Sequence, residues 1–175
     1  MTEGDTMGTD SSRATEAREA YRRYVEERGR AERGEIPWSA VAEGFFTEDA
    51  VFIDPAWGRV EGHAAITRFF DESMAGLEGW TFPESFALSD GERIVALWWN
   101  RLEGTDADGR PYQAPGVSIV HYAGDGRFSY ELDVLNMAEV TEVIAASGWA
   151  PPPTFNMPPR HPVRDTTPTD GMASP

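Results

Sequence analysis

Residues 13–33 set Ala14, Ala17, Tyr21, Tyr24 and Val25 on one stripe at helical spacing, with charged residues around it and Gly34 directly after. That pattern predicts an amphipathic helix stopped at Gly34. Pro37, a favoured first-turn residue, opens a second, short helix with Val41 and Phe45 inward. Residues 50–54 (AVFID) predict a short strand, ended by Pro55. After a loop, residues 63–77 repeat Ile66, Phe69, Phe70, Ser73, Met74 and Leu77 at spacings of three and four, which is a third helix.

From Trp80 the period shifts toward two. Residues 80–88 predict a strand, placed at an edge or on a bulge by Pro83. The turn chemistry of Ser89, Asp90 and Gly91 leads into a long strand over 93–104, and TDADGR (105–110) turns the chain back. Further strands are expected at 112–113 and 117–122, and then at 128–137 after the AGDG turn (123–126). A last helix is predicted over 138–146, with Gly148 past its end. Three helices, a curved antiparallel sheet and a short helix make an α+β fold, with helices on one sheet face.

The ends differ from this middle. Residues 1–12 carry almost nothing to bury and are expected to be a disordered N-terminal tail. Eight of the 13 prolines fall in 151–175, so 149–175 is read as a Pro-rich tail, with Trp149 and Phe155 as its anchors. A single domain over 13–148 remains. Thirty acidic against 15 basic side chains give a net charge of −15. Such a chain is repelled by nucleic-acid phosphates and anionic lipid surfaces, so neither is expected as a partner. Cysteine is absent, which rules out disulfides, thiolate metal sites and a cysteine nucleophile. The three histidines lack close spacing with carboxylates, so no metal site is expected, nor any cofactor. With no apolar leader or membrane span in the pattern, the expected location is the cytoplasm.

Several polar residues fall where the pattern predicts an apolar surface. Alternation along 50–54 sets Asp54 on the face of Ala50 and Phe52. A carboxylate desolvated in such a place has a raised pKa and can shuttle a proton near neutrality; alternatively, Asp54 simply caps the loop after it. Glu131 and Asp133, two apart, share a strand face with Leu135 and Met137. Arg101 and Glu103 are likewise two apart, which fits a solvated ion pair as well as a site. His63 reads as a helix cap. Of His121 and Tyr122, alternation lets only one face the interior. Asn100 and Asn136 are candidate hydrogen-bonding groups.

The phrases GFFTEDAVFIDPAWGRVEGHAAITRFF (44–70) and SIVHYAGDGRFSYELDVLNM (118–137), in this order of elements, resemble the SnoaL-like and ketosteroid-isomerase-like proteins of the nuclear-transport-factor-2 superfamily, over roughly residues 15–145. The resemblance implies a cone-shaped α+β barrel, an apolar pocket between sheet and helices, and a homodimer through the outer sheet face. It implies no single activity, because function resides in the site. By resemblance Asp54 falls at the general base of ketosteroid isomerase and Asp133 at the acidic residue of SnoaL-like cyclases and limonene-epoxide-type hydrolases. Tyr24 or Tyr21 supplies a phenol, and Ser118 stands where the isomerase has its second acid. Arg101 and Glu103 are similar to the hydrolase Arg-x-Asp pair, with Glu in place of Asp and the register displaced. Phe52, Trp57, Val120 and Leu135 are expected to line the pocket, with Arg101, Glu131 and Asn136 as polar contacts. The implied function is cofactor-independent acid–base chemistry, of isomerase or cyclase type, on an apolar oxygenated molecule such as a polyketide, terpenoid or steroid-like compound. A non-catalytic binding or dimerisation module and an epoxide hydrolase are the alternatives.

Overall fold

The computed structural model describes residues 6–168, with side chains from Ser12 onward. Helix α1 (Thr6–Glu32) is followed by α2 (Trp38–Phe45), the hairpin β1 (Phe46–Asp54) and β2 (Gly58–Glu61), and α3 (His63–Met74). Strands β3 (Glu84–Asp90), β4 (Arg93–Thr105), β5 (Pro111–Gly124) and β6 (Arg127–Leu135) come next, and α4 (Met137–Ser147) ends the regular structure. Six strands form one sheet in the order β2-β1-β6-β5-β4-β3. No helix among the described residues is long and apolar enough to cross a membrane.

The α+β class holds, and the sheet differs from the expected antiparallel one. Strand β1 runs parallel to β6, pairing Phe52 with Glu131, so the sheet is mixed. Strand β1 also starts at Phe46 rather than at residue 50, and the loop expected after Asp54 contains a further strand, β2. The two short segments expected around Pro115 are one strand, in which Pro115 pairs with Trp99 on the neighbouring β4. Helix α1 reaches back to Thr6, into the stretch expected to be disordered; residues 1–5 lie outside the described residues.

The helix-covered sheet face carries the core. Ala17, Ala20 and Tyr24 of α1, Val41 and Phe45 of α2, and Ile66 and Phe70 of α3 pack on Ala50, Ala96, Val120 and Phe128 of the sheet. Tyr24 stands at the middle of this aromatic cluster, its ring 5.4 Å from Phe45, 6.0 Å from Phe46 and 5.5 Å from Phe128.

The described part of the segment after α4, residues 148–168, is tied to the body at several points. Trp149 stacks edge-on against Trp80 at 5.2 Å and Phe155 against Trp149 at 5.5 Å, so both expected anchors are seated. Asn156 Nδ2 donates to the Glu72 carbonyl at 2.9 Å, Arg59 N–H to the Val163 carbonyl at 3.0 Å, and Tyr130 Oη to the Thr166 carbonyl at 2.7 Å. Two glycines with positive φ make room: a Cβ on Gly76 would lie 2.6 Å from the Phe155 backbone, and one on Gly58 would lie 2.6 Å from Val163 O. The prolines forbid helix and ladder, and the segment instead runs extended as a strap across α3 to the β1–β2 turn.

Candidate active site

Between the helix-covered sheet face, α3, α4 and the strap lies a cavity of about 210 Å³. Its walls are mostly aromatic and aliphatic: Trp38, Phe52, Trp57, Phe69, Phe70, Trp80, Phe82, Trp98, Leu135 and, from the strap, Phe155 and Pro158. Asp54, Glu131, Asp133, Tyr24, Arg28 and Asn100 supply the polar and charged groups. Period-two alternation places Glu131 and Asp133 together on β6, and the parallel register brings Phe52 beside Glu131.

Each β6 carboxyl accepts one hydroxyl. Tyr24 Oη donates to Glu131 Oε2 at 2.9 Å in a fully buried contact. Ser118 Oγ donates to Asp133 Oδ1 at 2.5 Å, and Trp98 Nε1 donates to Ser118 Oγ at 2.9 Å. Gly116 allows this arrangement, because a Cβ there would sit 2.6 Å from the Trp98 ring. The Arg28 guanidinium lies over the Tyr24 ring at 5.6 Å and the Trp98 ring at 5.9 Å.

Burial sets the electrostatics. Desolvation pushes the Glu131 carboxyl well above the ordinary range, and the neighbouring Asp133 pushes it further, against the opposing pull of Arg28 and Tyr24. Asp133 is raised by the same desolvation and by Asp54, with the Ser118 hydroxyl and Arg28 working to lower it. Tyr24 is held as a phenol, first by desolvation and then by the charge of Glu131. For Arg28 burial lowers proton affinity, yet Tyr24 and Glu131 outweigh it and hold the guanidinium charged.

Asp54 both caps its loop and lines the cavity. Its Oδ1 accepts the amides of Ala56 at 2.7 Å and Trp57 at 2.8 Å, capping the β1–β2 turn. Its carboxyl also faces the cavity, where desolvation raises its pKa against those two amides and Arg164.

The profile of the SnoaL-like domain matches residues 21–131, well over half of the chain. The chain belongs to the SnoaL-like domain family. A protein named as a SnoaL-like polyketide cyclase from Jannaschia sp. CCS1 is 19% identical, at a TM-score of 0.59 over 80% of this chain and 96% of its own. An epoxide hydrolase of M. tuberculosis, described as LEH-like, is 12% identical, at a TM-score of 0.57 over 75% of this chain and 91% of its own. A Catenulispora acidiphila protein with a ketosteroid-isomerase-like fold, solved with trimethylamine, is 16% identical, with a TM-score of 0.52 over 73% of this chain and 97% of its own. At these identities the likeness is one of fold. A search of curated protein sequences finds no match.

The SnoaL-like domain thus gathers Asp54, Asp133, Tyr24, Phe52, Trp57, Glu131 and Leu135 around one cavity, and it excludes five other residues read from sequence. Tyr21 is buried beside Glu84 and Ile94 in a separate depression, turned one helical step away from Tyr24. Arg101 alternates with the cavity residues Trp98 and Asn100, so it points to the other sheet face, where its Nε donates to Gln113 Oε1 at 2.8 Å. Ser118 stands behind Asp133 as its hydrogen-bond donor, out of the cavity wall. Val120 is fully buried in the core under α1. Asn136 is exposed at the N-cap of α4. His63 is the first residue of α3 rather than its cap, with Nε2 3.2 Å from the Glu43 carbonyl. His121 stacks on Tyr130 and Tyr122 packs on Phe128; both are buried, neither lines the cavity, and the register shifts between them.

Arg28 and the strap residues were missed. The signal for Arg28 was present: the stripe Ala17, Tyr21, Tyr24 continues at Arg28, which places a cation on the buried face. Among the described residues, no group of three or more histidine and carboxylate side chains is arranged to hold a metal ion.

Proposed function

We propose that the cavity binds a small, mostly apolar, oxygenated molecule and moves a proton on it without a cofactor, in the manner of an isomerase or cyclase. One observation carries this reading: Glu131 and Asp133 lie side by side in an aromatic cavity, each bonded to a hydroxyl and each with raised proton affinity. Two carboxyls that cannot both ionise readily leave one as acid and one as base near neutral pH. Asp133 is the base, because its charge is what adds to burial in keeping the proton on Glu131, whereas the Ser118 hydroxyl is the leading influence after burial on Asp133 and favours its ionised form. It takes a proton from a carbon next to a carbonyl. Glu131, still protonated and backed by Tyr24, hydrogen-bonds the oxygen on which charge develops. Returning the proton from Asp133 to another carbon completes an isomerisation. Asp54 offers the oxygen that its turn does not use to orient the substrate. Epoxide opening comes second, since Arg101 lies on the opposite sheet face from the acids.

Enolisable cyclic ketones in deuterated water, followed by proton NMR, test this reading. The wild type should exchange the α-proton of at least one, and Asp133→Asn should slow that exchange about 100-fold or more. Binding without exchange supports the non-catalytic receptor instead. If Asp133→Asn and Asp54→Asn both leave exchange and binding untouched, the assignment fails.

We also propose a homodimer through the outer sheet face. The register aligns Leu88, Val95, Ile119 and Leu132 in one cross-strand row and Phe86, Leu97, Val117 and Val134 in the next. Leu88 is 66% exposed and Val134 49%, an apolar expanse that a second copy would cover. Light scattering at micromolar concentration should give about twice the 19.4 kDa chain mass; a clean monomer refutes it.

A further inference from the structure

At the end of the cavity away from the carboxyl pair, two buried polar atoms have no partner. Asn100 Oδ1 and Trp80 Nε1 make no hydrogen bond, although Asn100 is only 8% exposed and Trp80 7%. Both side chains line the cavity. The two backbones meet at a short bridge: Thr81 N–H donates to the Arg101 carbonyl at 2.9 Å, and Arg101 N–H returns to the Thr81 carbonyl at 3.0 Å. Across that bridge Phe82 is opposite Asn100, and Trp80 is its diagonal neighbour on the same face, a relation that spans about 7–8 Å. Side chains in that diagonal relation are within reach of each other, so an acceptor on one and a donor on the other can meet a common ligand group. A buried polar atom left unmatched is costly, so an unmatched acceptor–donor pair in a cavity wall has the form of a ligand site.

The chemistry of the pair specifies the ligand group. A hydroxyl donates to Asn100 Oδ1 and accepts from the Trp80 N–H through one atom; a ketone oxygen cannot donate, and a carboxylate would be repelled by Asn100 Oδ1. The register fixes its distance from the reacting end. Asp133 is opposite Ser118 and Ser118 opposite Ala96, so Asn100 lies two strands across, about 9–10 Å, and four residues further along β4, about 13 Å, which together separate the two backbones by about 16 Å. The cavity, at about 210 Å³, is smaller than a drug-sized site, which starts at about 300 Å³.

We propose that Asn100 and Trp80 form a distal hydroxyl subsite, so that the ligand is a compact mono- or bicyclic ketone carrying a hydroxyl at the end remote from its enolisable carbonyl. This deepens the acid–base reading above and rests on it for the orientation of the carbonyl; the hydroxyl subsite itself is read from binding alone.

The probes are 2-tetralone and 6-hydroxy-2-tetralone, two ketones that differ by the remote hydroxyl, titrated calorimetrically into the full chain. The wild type should bind the hydroxyketone about 10-fold more tightly. Asn100→Leu and Trp80→Phe remove no hydrogen bond that the fold uses; each should bring the two ketones within about twofold of each other, and the ratio of the two affinities is the readout whatever either substitution does to 2-tetralone binding itself. Equal binding by the wild type, failure of both ketones to bind, or a preference that survives both substitutions overturns the subsite. Intact hydroxyl preference without α-proton exchange overturns the acid–base reading alone and leaves the subsite standing.

Discussion

Raising the pH through neutrality perturbs the buried carboxyl pair without changing a residue. Glu131 is 1% exposed. Burial, and then the neighbouring Asp133, push its pKa from the ordinary 4.5 up to about 8. Between those two values the folded chain holds a proton that the unfolded chain has released. Stability is therefore fully present below the unfolded value, falls as pH rises, and levels off above the folded one. At about 1.4 kcal/mol per tenfold change in proton affinity, the rise corresponds to about 5 kcal/mol. Asp133 is raised by the same desolvation and titrates with Glu131 as a pair, so its share overlaps with this figure rather than doubling it. A small domain is stable by about 5–15 kcal/mol in all, so the decline is large enough to dominate a pH profile.

Urea unfolding midpoints measured from pH 5.5 to 9 read this decline directly. Glu131→Gln supplies the control, since its amide oxygen can still accept from Tyr24 and it has no proton to lose. The Gln variant should lie within about 1 kcal/mol of the wild type at pH 5.5, the scale of one neutral hydrogen bond, and become the more stable of the two at pH 9. The lowered carboxyls Glu35 and Asp165 titrate below this window and leave the slope unaffected. A wild type whose stability is level or rising from pH 5.5 to 8 refutes the reasoning, as does a Gln variant with an equally steep decline.

Two further outcomes follow from single contacts. Tyr24→Phe removes the hydroxyl that donates to Glu131 and leaves a buried carboxyl oxygen without that donor; the expected loss is about 1–3 kcal/mol in urea unfolding at pH 6, and an unchanged midpoint would contradict the bond. Gly76→Ala sets a methyl group into the Phe155 backbone at a φ of +82, so the strap should lift and limited proteolysis after Trp149 should accelerate several-fold; cleavage at the wild-type rate would show that the strap is not held there.

What the sequence disclosed follows the physics of periodicity. A stripe at helical spacing and a run at period two report which face is buried, so α1, α3, β4 and β6 were legible, and so were Asp54, Glu131 and Asp133 as acids on apolar faces. Parity also separates Arg101 from Asn100, one position apart and on opposite sides of the sheet. Periodicity does not say which strand becomes whose neighbour. Hence the parallel pairing of β1 with β6 was invisible, as was the short strand β2, whose four residues are held by their partner strand rather than by their own pattern. The strap was illegible for a related reason. A proline-rich stretch has no internal ladder, and its order comes from Trp80, Gly76, Arg59 and Tyr130, all distant in sequence. Arg28 is hard to read from sequence because an arginine on a helix is ordinarily solvated, although its long apolar stem suits a buried stripe that ends at aromatic rings.

The charge of the cavity narrows what can enter it. Three carboxyls, Asp54, Glu131 and Asp133, line it, and among the described residues Arg28 is the basic side chain in its wall. With all three ionised the excess negative charge would lie in an aromatic enclosure, where desolvation is most costly, and retained protons remove that excess. The protonated carboxyl that the mechanism needs is therefore produced by the same burial that makes the cavity suit an apolar ligand. An anionic ligand would need a second cation or a further proton. A neutral ketone needs neither: it gains charge only on its oxygen as its α-proton moves to Asp133, so that the negative charge passes from one cavity group to another and the total stays constant. The overall excess of acidic residues acts in the same direction, because it repels competing anions before they reach the cavity mouth.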